Sequence, residues 1–310
     1  MKTTHEARLP SRRSMLTAIG GLGLSLGAGH SRAQAAAAGA TDAEGKPWQS
    51  YDDFADPSWP SPRWSKFRSA QHDLWDPDTD VSISGGRDST LTIDLPRFSV
   101  SHPNHVKALL LSTSTFDVQQ ASGLSVRVDM QVNTYGTERN PFGLEPGDVR
   151  LAAGALVLID PDTGMVFDFF VSADRIRPLY ERLPFARAQL GDYPAYTILG
   201  NSVPTRPGVW HRYEIRYRRD SDRVEWLVDG RLLARQDRVG AAPGEDAPIV
   251  KLRRPRIGGG LFTLLDDLAN DRRRADDHSK IRGFIPSNWE DRFGQGAKVA
   301  FRRFEVSIAS

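Results

Sequence analysis

There is no cysteine anywhere in the chain. Disulfide staples, thiolate catalysis and Cys-ligated zinc are therefore excluded. Long apolar runs are missing as well. The run from Met15 to Leu26 is diluted by Gly20, Gly21 and Gly23 and falls short of the ~18 residues that a membrane-spanning helix needs. Helical periodicity is weak throughout, and the best short helix candidate is Leu261 to Leu268, approached through Gly258-Gly259-Gly260. No Ser nucleophile elbow, P-loop or dinucleotide fingerprint occurs. Nor is there a large charge excess: Lys and Arg number 41, Asp and Glu 39. Residues 1–35 hold five of those bases (Lys2, Arg8, Arg12, Arg13, Arg32) and one of the acids (Glu6), which leaves 36 against 38, a net −2, for the remainder. No basic surplus is left to neutralise phosphates, so nucleic acid is not an expected partner.

What is present begins with an address. Ser11-Arg12-Arg13-Ser14-Met15-Leu16 sets an arginine pair ahead of the modest apolar run, and Ala33-Gln34-Ala35-Ala36 offers a small-residue cleavage site. The arrangement resembles a bacterial twin-arginine export signal. It implies removal near Ala35 and a mature protein that is periplasmic or extracellular. A chain exported already folded needs no oxidising compartment, which agrees with the missing cysteines. The expected organisation is a signal peptide over 1–35, a small, polar, flexible linker over 36–49, and one domain over 50–310.

The remainder reads as short alternating segments broken by turn residues. Leu124, Val126, Val128, Met130 and Val132 alternate with Ser125, Arg127, Asp129 and Gln131, the period of a half-buried strand. Residues 210–237 read as a three-stranded meander, turning at Asp220-Ser221-Asp222 and at Asp229-Gly230. Ala152 to Ile159 and Met165 to Val171 are apolar strands joined through Asp160-Pro161-Asp162-Thr163-Gly164. In the last strand, Lys298 to Ile308, the apolar phase shifts between Phe301 and Phe304, which predicts a β-bulge. Many short strands and hardly any helix predict a sandwich or barrel, and a two-sheet jelly roll fits the length.

Two sets of residues carry a resemblance. Tyr51-Asp52-Asp53-Phe54, Trp210-His211-Arg212-Tyr213-Glu214-Ile215 and Val224-Glu225-Trp226-Leu227-Val228-Asp229-Gly230 are similar to strands of secreted concanavalin A-like domains, both laminarin-type glucanases and laminin-G-like lectins. Thr134-Tyr135-Gly136-Thr137, Asn140-Pro141-Phe142-Gly143, Tyr180-Glu181-Arg182-Leu183-Pro184-Phe185 and Phe293-Gly294-Gln295-Gly296 resemble, more narrowly, a secreted bacterial and fungal family of unknown function. The implied fold is all-β, a concanavalin A-like two-sheet antiparallel jelly-roll sandwich. The implied partner is a polysaccharide or another small extracellular ligand; the oligomeric state is left open.

Glucanases of that fold carry Glu-x-Asp-x-Glu on one strand, where the period of two sets three carboxylates on one face. On the matching strand here, Met165 to Val171, only the central acid is present, as Asp168; Val166 and Phe170 stand at the flanking positions. Asp168, among phenylalanines, is read either as a site acid with a raised pKa or as a structural ion pair with Arg150, Arg177 or Arg182. A hairpin through Ser172-Ala173-Asp174 would bring Glu181 beside it as a second carboxylate; the alternative is an Arg/Glu ladder of cross-strand pairs. Asp168 and Glu181 are thus the candidate catalytic residues, and Tyr135, Asn140, Arg150, Arg177, Tyr180, Arg182 and His211 the candidate ligand contacts. Tyr135, Phe142, Tyr180, Tyr193, Tyr196 and Trp289 fall in turn-rich segments that favour exposed rings, whereas Trp210 and Trp226 fall on patterned strands that favour the core. His102 and His105 lack a third ligand nearby, and Asp76-x-Asp78-x-Asp80 lacks the glycine and closing Glu of a calcium loop. No metal ligand or cofactor is assigned, although related jelly rolls often carry a structural calcium. Three readings follow: a carbohydrate-recognising protein, an atypical glycoside hydrolase or lyase using Asp168 and Glu181, and a pocket for an apolar small molecule or lipid.

Overall fold

The computed structural model describes residues 45–68, 75–86, 88–99, 106–241, 248–265 and 293–309. The segment expected to be an export signal and most of the expected linker, the pair His102 and His105, and Trp289 lie outside them. With strands numbered in chain order, one antiparallel sheet runs β14 (Arg231–Asp237), β13 (Arg223–Val228), β12 (His211–Arg218), β6 (Gly123–Tyr135), β16 (Gly296–Ala309), β4 (Thr90–Leu95) and β3 (Asp80–Ser84). Strand β1 (Gln49–Asp52) also pairs with β16. The second sheet runs β10 (Tyr196–Leu199), β9 (Arg175–Arg182), β8 (Met165–Val171), β7 (Ala153–Asp160), β15 (Arg256–Phe262), β5 (Val106–Ser112) and β2 (Trp64–Lys66), with β11 (Val203–Pro204) on β9. The fold is the two-sheet antiparallel jelly-roll sandwich that the alternation predicts.

The alternating residues explain the layering. Leu124, Val126 and Val128 on β6 stand opposite Tyr217, Ile215 and Tyr213 on β12, and this inner face packs on Leu156, Leu158, Phe167 and Phe169 of the second sheet. Phe167 stacks near-parallel to Tyr180, with ring centroids 6.0 Å apart, and meets Trp226 edge-on. The predicted bulge is present: the register of β16 against β6 shifts between Arg302 and Glu305, and Arg303 adopts φ 52°. The extra residue lets both Phe301 and Phe304 point inward.

The Gly258-Gly259-Gly260 run is explained by its neighbours in the sheet. Leu261 and Phe262 finish β15, Leu265 is helical, and Asp266 to Leu268 lie outside the described residues. The glycines occupy the middle of β15, between β7 and β5. A Cβ at Gly259 would lie 2.4 Å from the Phe301 ring, and one at Gly260 would lie 1.9 Å from the Ala108 carbonyl. The strand takes its place because it has no side chains there.

Candidate functional site

The outward face of the second sheet carries the candidate acids. Strand alternation puts Met165, Phe167, Phe169 and Val171 inward, so Val166, Asp168 and Phe170 point the other way. Across the ladder, Asp168 stands opposite Val157 on β7 and Leu179 on β9. Its four nearest positions on this face, Val157, Val166, Phe170 and Leu179, are all buried and apolar. Farther out the same face is covered by Phe185, Ala186 and Tyr193, from the 3-10 turn Pro184–Ala186 and the segment after helix α1 (Arg187–Leu190), and by Leu264.

The hairpin through Ser172-Ala173-Asp174 forms as predicted, and β9 returns beside β8. Glu181 then falls opposite Val166, on the same face as Asp168 and one diagonal step away. Diagonal positions of an antiparallel pair are ~7–8 Å apart. Glu181 accepts a hydrogen bond of 2.6 Å from the Thr197 hydroxyl on β10. Asp168 is 3% exposed and its Oδ1 has no hydrogen-bond partner. Burial raises its pKa far above the usual carboxylate range, and the Glu181 charge raises it further. Burial also pushes Glu181 up to about 7, with the Thr197 hydroxyl opposing the shift.

None of the three arginines offered as partners pairs with Asp168. Arg150 is held by Asp148 through Nε at 2.8 Å and through a second bond from Nη2. Arg177 shares the outward face, opposite Phe170, and its buried Nε has no partner; burial lowers its pKa while the Asp148 charge raises it. Arg182 lies on the inward-facing phase of β9, with its guanidinium 3.9 Å over the Tyr193 ring and its Nε unpartnered.

Other candidate contacts are placed elsewhere. Tyr180 is not an exposed turn ring but a core residue on β9, because its phase along the strand is inward; its hydroxyl accepts from Gly240 N at 2.7 Å and from Tyr196 Oη, and donates to Ala241 O at 3.0 Å. Tyr193 and Tyr196 are buried too. The Asn140 amide is used within its own loop, accepting from Phe142 and Leu144 N and donating to Thr137 and Leu144 O. Tyr135 and His211 belong to the first sheet. Trp226 is in the core as predicted, but Trp210 lies half-buried outside it, stacked on the Arg302 guanidinium at 4.1 Å. Trp210 precedes β12 and takes no part in its alternation. Among the described residues no cluster of three or more acids or histidines could hold a metal, and no helix is long and apolar enough to cross a membrane.

The molecule is thus an antiparallel jelly-roll sandwich with a carboxyl pair, Asp168 buried and Glu181 half-buried, on the outward face of one sheet. The chain belongs to the family of unknown function designated DUF6081, whose pattern matches residues 67–310. A stretch of 40 residues is 62% identical to uncharacterized protein L829 of Acanthamoeba polyphaga mimivirus; the match spans 13% of this chain and 9% of that protein. Solved structures similar in overall arrangement include the apo Crh5 transglycosylase (14% identity, 84% of this chain and 83% of that one, TM-score 0.45) and LamAcat from Zobellia galactanivorans (12%, 83% and 95%, 0.45). A third comes from work on endo-acting O-glycanases of the human gut microbiota (13%, 84% and 98%, 0.48). None of these likenesses bears on the chemistry of the site.

Proposed function

We propose that this is an exported protein that recognises an extracellular carbohydrate, with Asp168 and Glu181 as its acid–base pair. One observation carries the reading: two carboxyls share one face of the second sheet in largely apolar surroundings, and no cation pairs with either among the described residues. Two such groups do not both ionise at neutral pH, so one keeps a proton while the other accepts. A proton donor beside a proton acceptor is what hydrolysis of a glycosidic bond, or elimination across it, requires. A polysaccharide panel, read for both retention and released reducing ends, tests this. Asp168→Asn and Glu181→Gln are each expected to lower release by about 10²–10⁴-fold with retention kept. Release that neither substitution changes removes the pair from the mechanism.

A second reading is favoured by the apolar cluster that surrounds the pair, namely a site for an apolar small molecule. Retention of no glycan, with saturable uptake of a fluorescent fatty acid lost in Phe170→Asp, would select it.

A further inference from the structure

On the opposite side of the molecule, an open groove of about 580 Å³ crosses the outward face of the first sheet, lined by Arg127, Asp129, Trp210, Arg212, Glu214 and the Asp229 turn, with His211 at its side. The volume is that of a small-molecule site. Its walls are rigid because they stand on strands. Arg212 grips Asp129 with two bonds, from Nε at 2.8 Å and Nη2 at 3.3 Å, and Arg303 pairs with the same carboxylate. His211 is fixed at both ring nitrogens, Nδ1 to Asp229 at 2.7 Å and Nε2 to the Thr205 hydroxyl at 2.9 Å.

Arg127 and Glu214 stand directly opposite each other on β6 and β12. Opposite charges at such a position normally pair. Here each is turned to another partner: Arg127 uses Nε on Glu305 at 2.7 Å with its guanidinium over the Trp48 ring, and Glu214 uses Oε1 alone for both of its bonds from Arg216. Among the described residues, the two Nη groups of Arg127 and Oε2 of Glu214 have no hydrogen-bond partner, across one strand step, in the floor of a groove. A hydroxyl can accept from one and donate to the other, and adjacent hydroxyls can do so in tandem. The half-buried Trp210 ring adds an apolar surface at the rim. Charges within the groove are balanced by one another and by Glu305, Arg303 and Arg216, so a charged ligand gains little.

We propose that this groove is a second carbohydrate-binding site, selective for neutral sugars through the gap between Arg127 and Glu214 and through Trp210. It rests on the carbohydrate reading above but not on the acid pair, which lies on the other sheet. The test is affinity electrophoresis of the full chain through gels containing amylose, β-1,3-glucan, xylan or polygalacturonate, at low and high salt. At least one neutral polymer is expected to retard the protein with little salt dependence. Trp210→Ala and Glu214→Gln should each weaken that retardation about tenfold, with unchanged melting temperature and unchanged reducing-end release from a short soluble substrate. Unchanged retardation in both variants, alongside release that still depends on Asp168, overturns the groove alone. Retardation only by polygalacturonate and abolished by salt overturns its selectivity for neutral sugars. Neither retardation nor release from any polymer sinks this proposal and the carbohydrate reading together.

Discussion

Asp168 on β8 and Glu181 on β9 sit one diagonal step apart on the same face of one strand pair, with no cation pairing with either among the described residues. Thirteen residues apart in the chain, they meet only because the turn at Ser172-Ala173-Asp174 folds β9 back in one particular register.

This relationship sets a pH dependence. Free carboxyls titrate near 4, and both of these are raised in the fold, Glu181 to about 7. Between those values the native state holds a proton that the unfolded chain has released, so stability falls as pH rises through that window and is greatest below it. Thermal melts are expected to give a higher melting temperature near pH 5 than near pH 8. Glu181→Gln, which keeps an acceptor for Thr197, should flatten that difference and raise the melting temperature at the alkaline end. Identical pH profiles for the variant and the unaltered protein would contradict the assignment.

Tyr180 acts as a fastener rather than a ligand contact. Its hydroxyl serves Gly240, Ala241 and Tyr196 at once inside the sandwich. Removing it as Tyr180→Phe leaves those buried groups short of partners, at a cost of about 1–3 kcal/mol. A melting-temperature drop of roughly 2–4 °C per kcal/mol is expected for a domain of this size, with binding to either outward face unchanged. Loss of ligand retention without loss of stability would return Tyr180 to the site.

Gly259 is held by shape. Its missing Cβ would meet the Phe301 ring at 2.4 Å and the Ala155 carbonyl at 2.9 Å. Overpacking of this kind costs about 1–3 kcal/mol, and with a backbone carbonyl on one side relief is limited. Gly259→Ala should lower the unfolding free energy by that amount, whereas Gly230→Ala should act through its φ of 75° alone, since it meets no atom within 4 Å. Urea unfolding of the two variants separates the effects.

Much of the strand content was legible. The alternation in β6 and β12, the turn at Asp229-Gly230 and the phase shift between Phe301 and Phe304 each act over a few residues, and each appears where local pattern puts it. Phase failed where a residue only adjoins a patterned strand: Trp210 precedes β12 and leaves the core. On β9 the alternation alone puts Tyr180 and Glu181 on opposite faces. The place of the glycine run was not legible, because its reason is the nearness of β5, β7 and Phe301, none of which is local.

The sequence by itself determined the all-β character, the strand faces and the presence of one acid among phenylalanines, because side-chain alternation is a property of the extended chain. Only the tertiary structure decided that Asp168 is flanked diagonally by Glu181 and Arg177 with no ion pair to that arginine, and that Arg127 and Glu214 face each other unbonded. Strand neighbours and register are fixed by packing between distant segments, and no short stretch of chain encodes which charge another segment will bring.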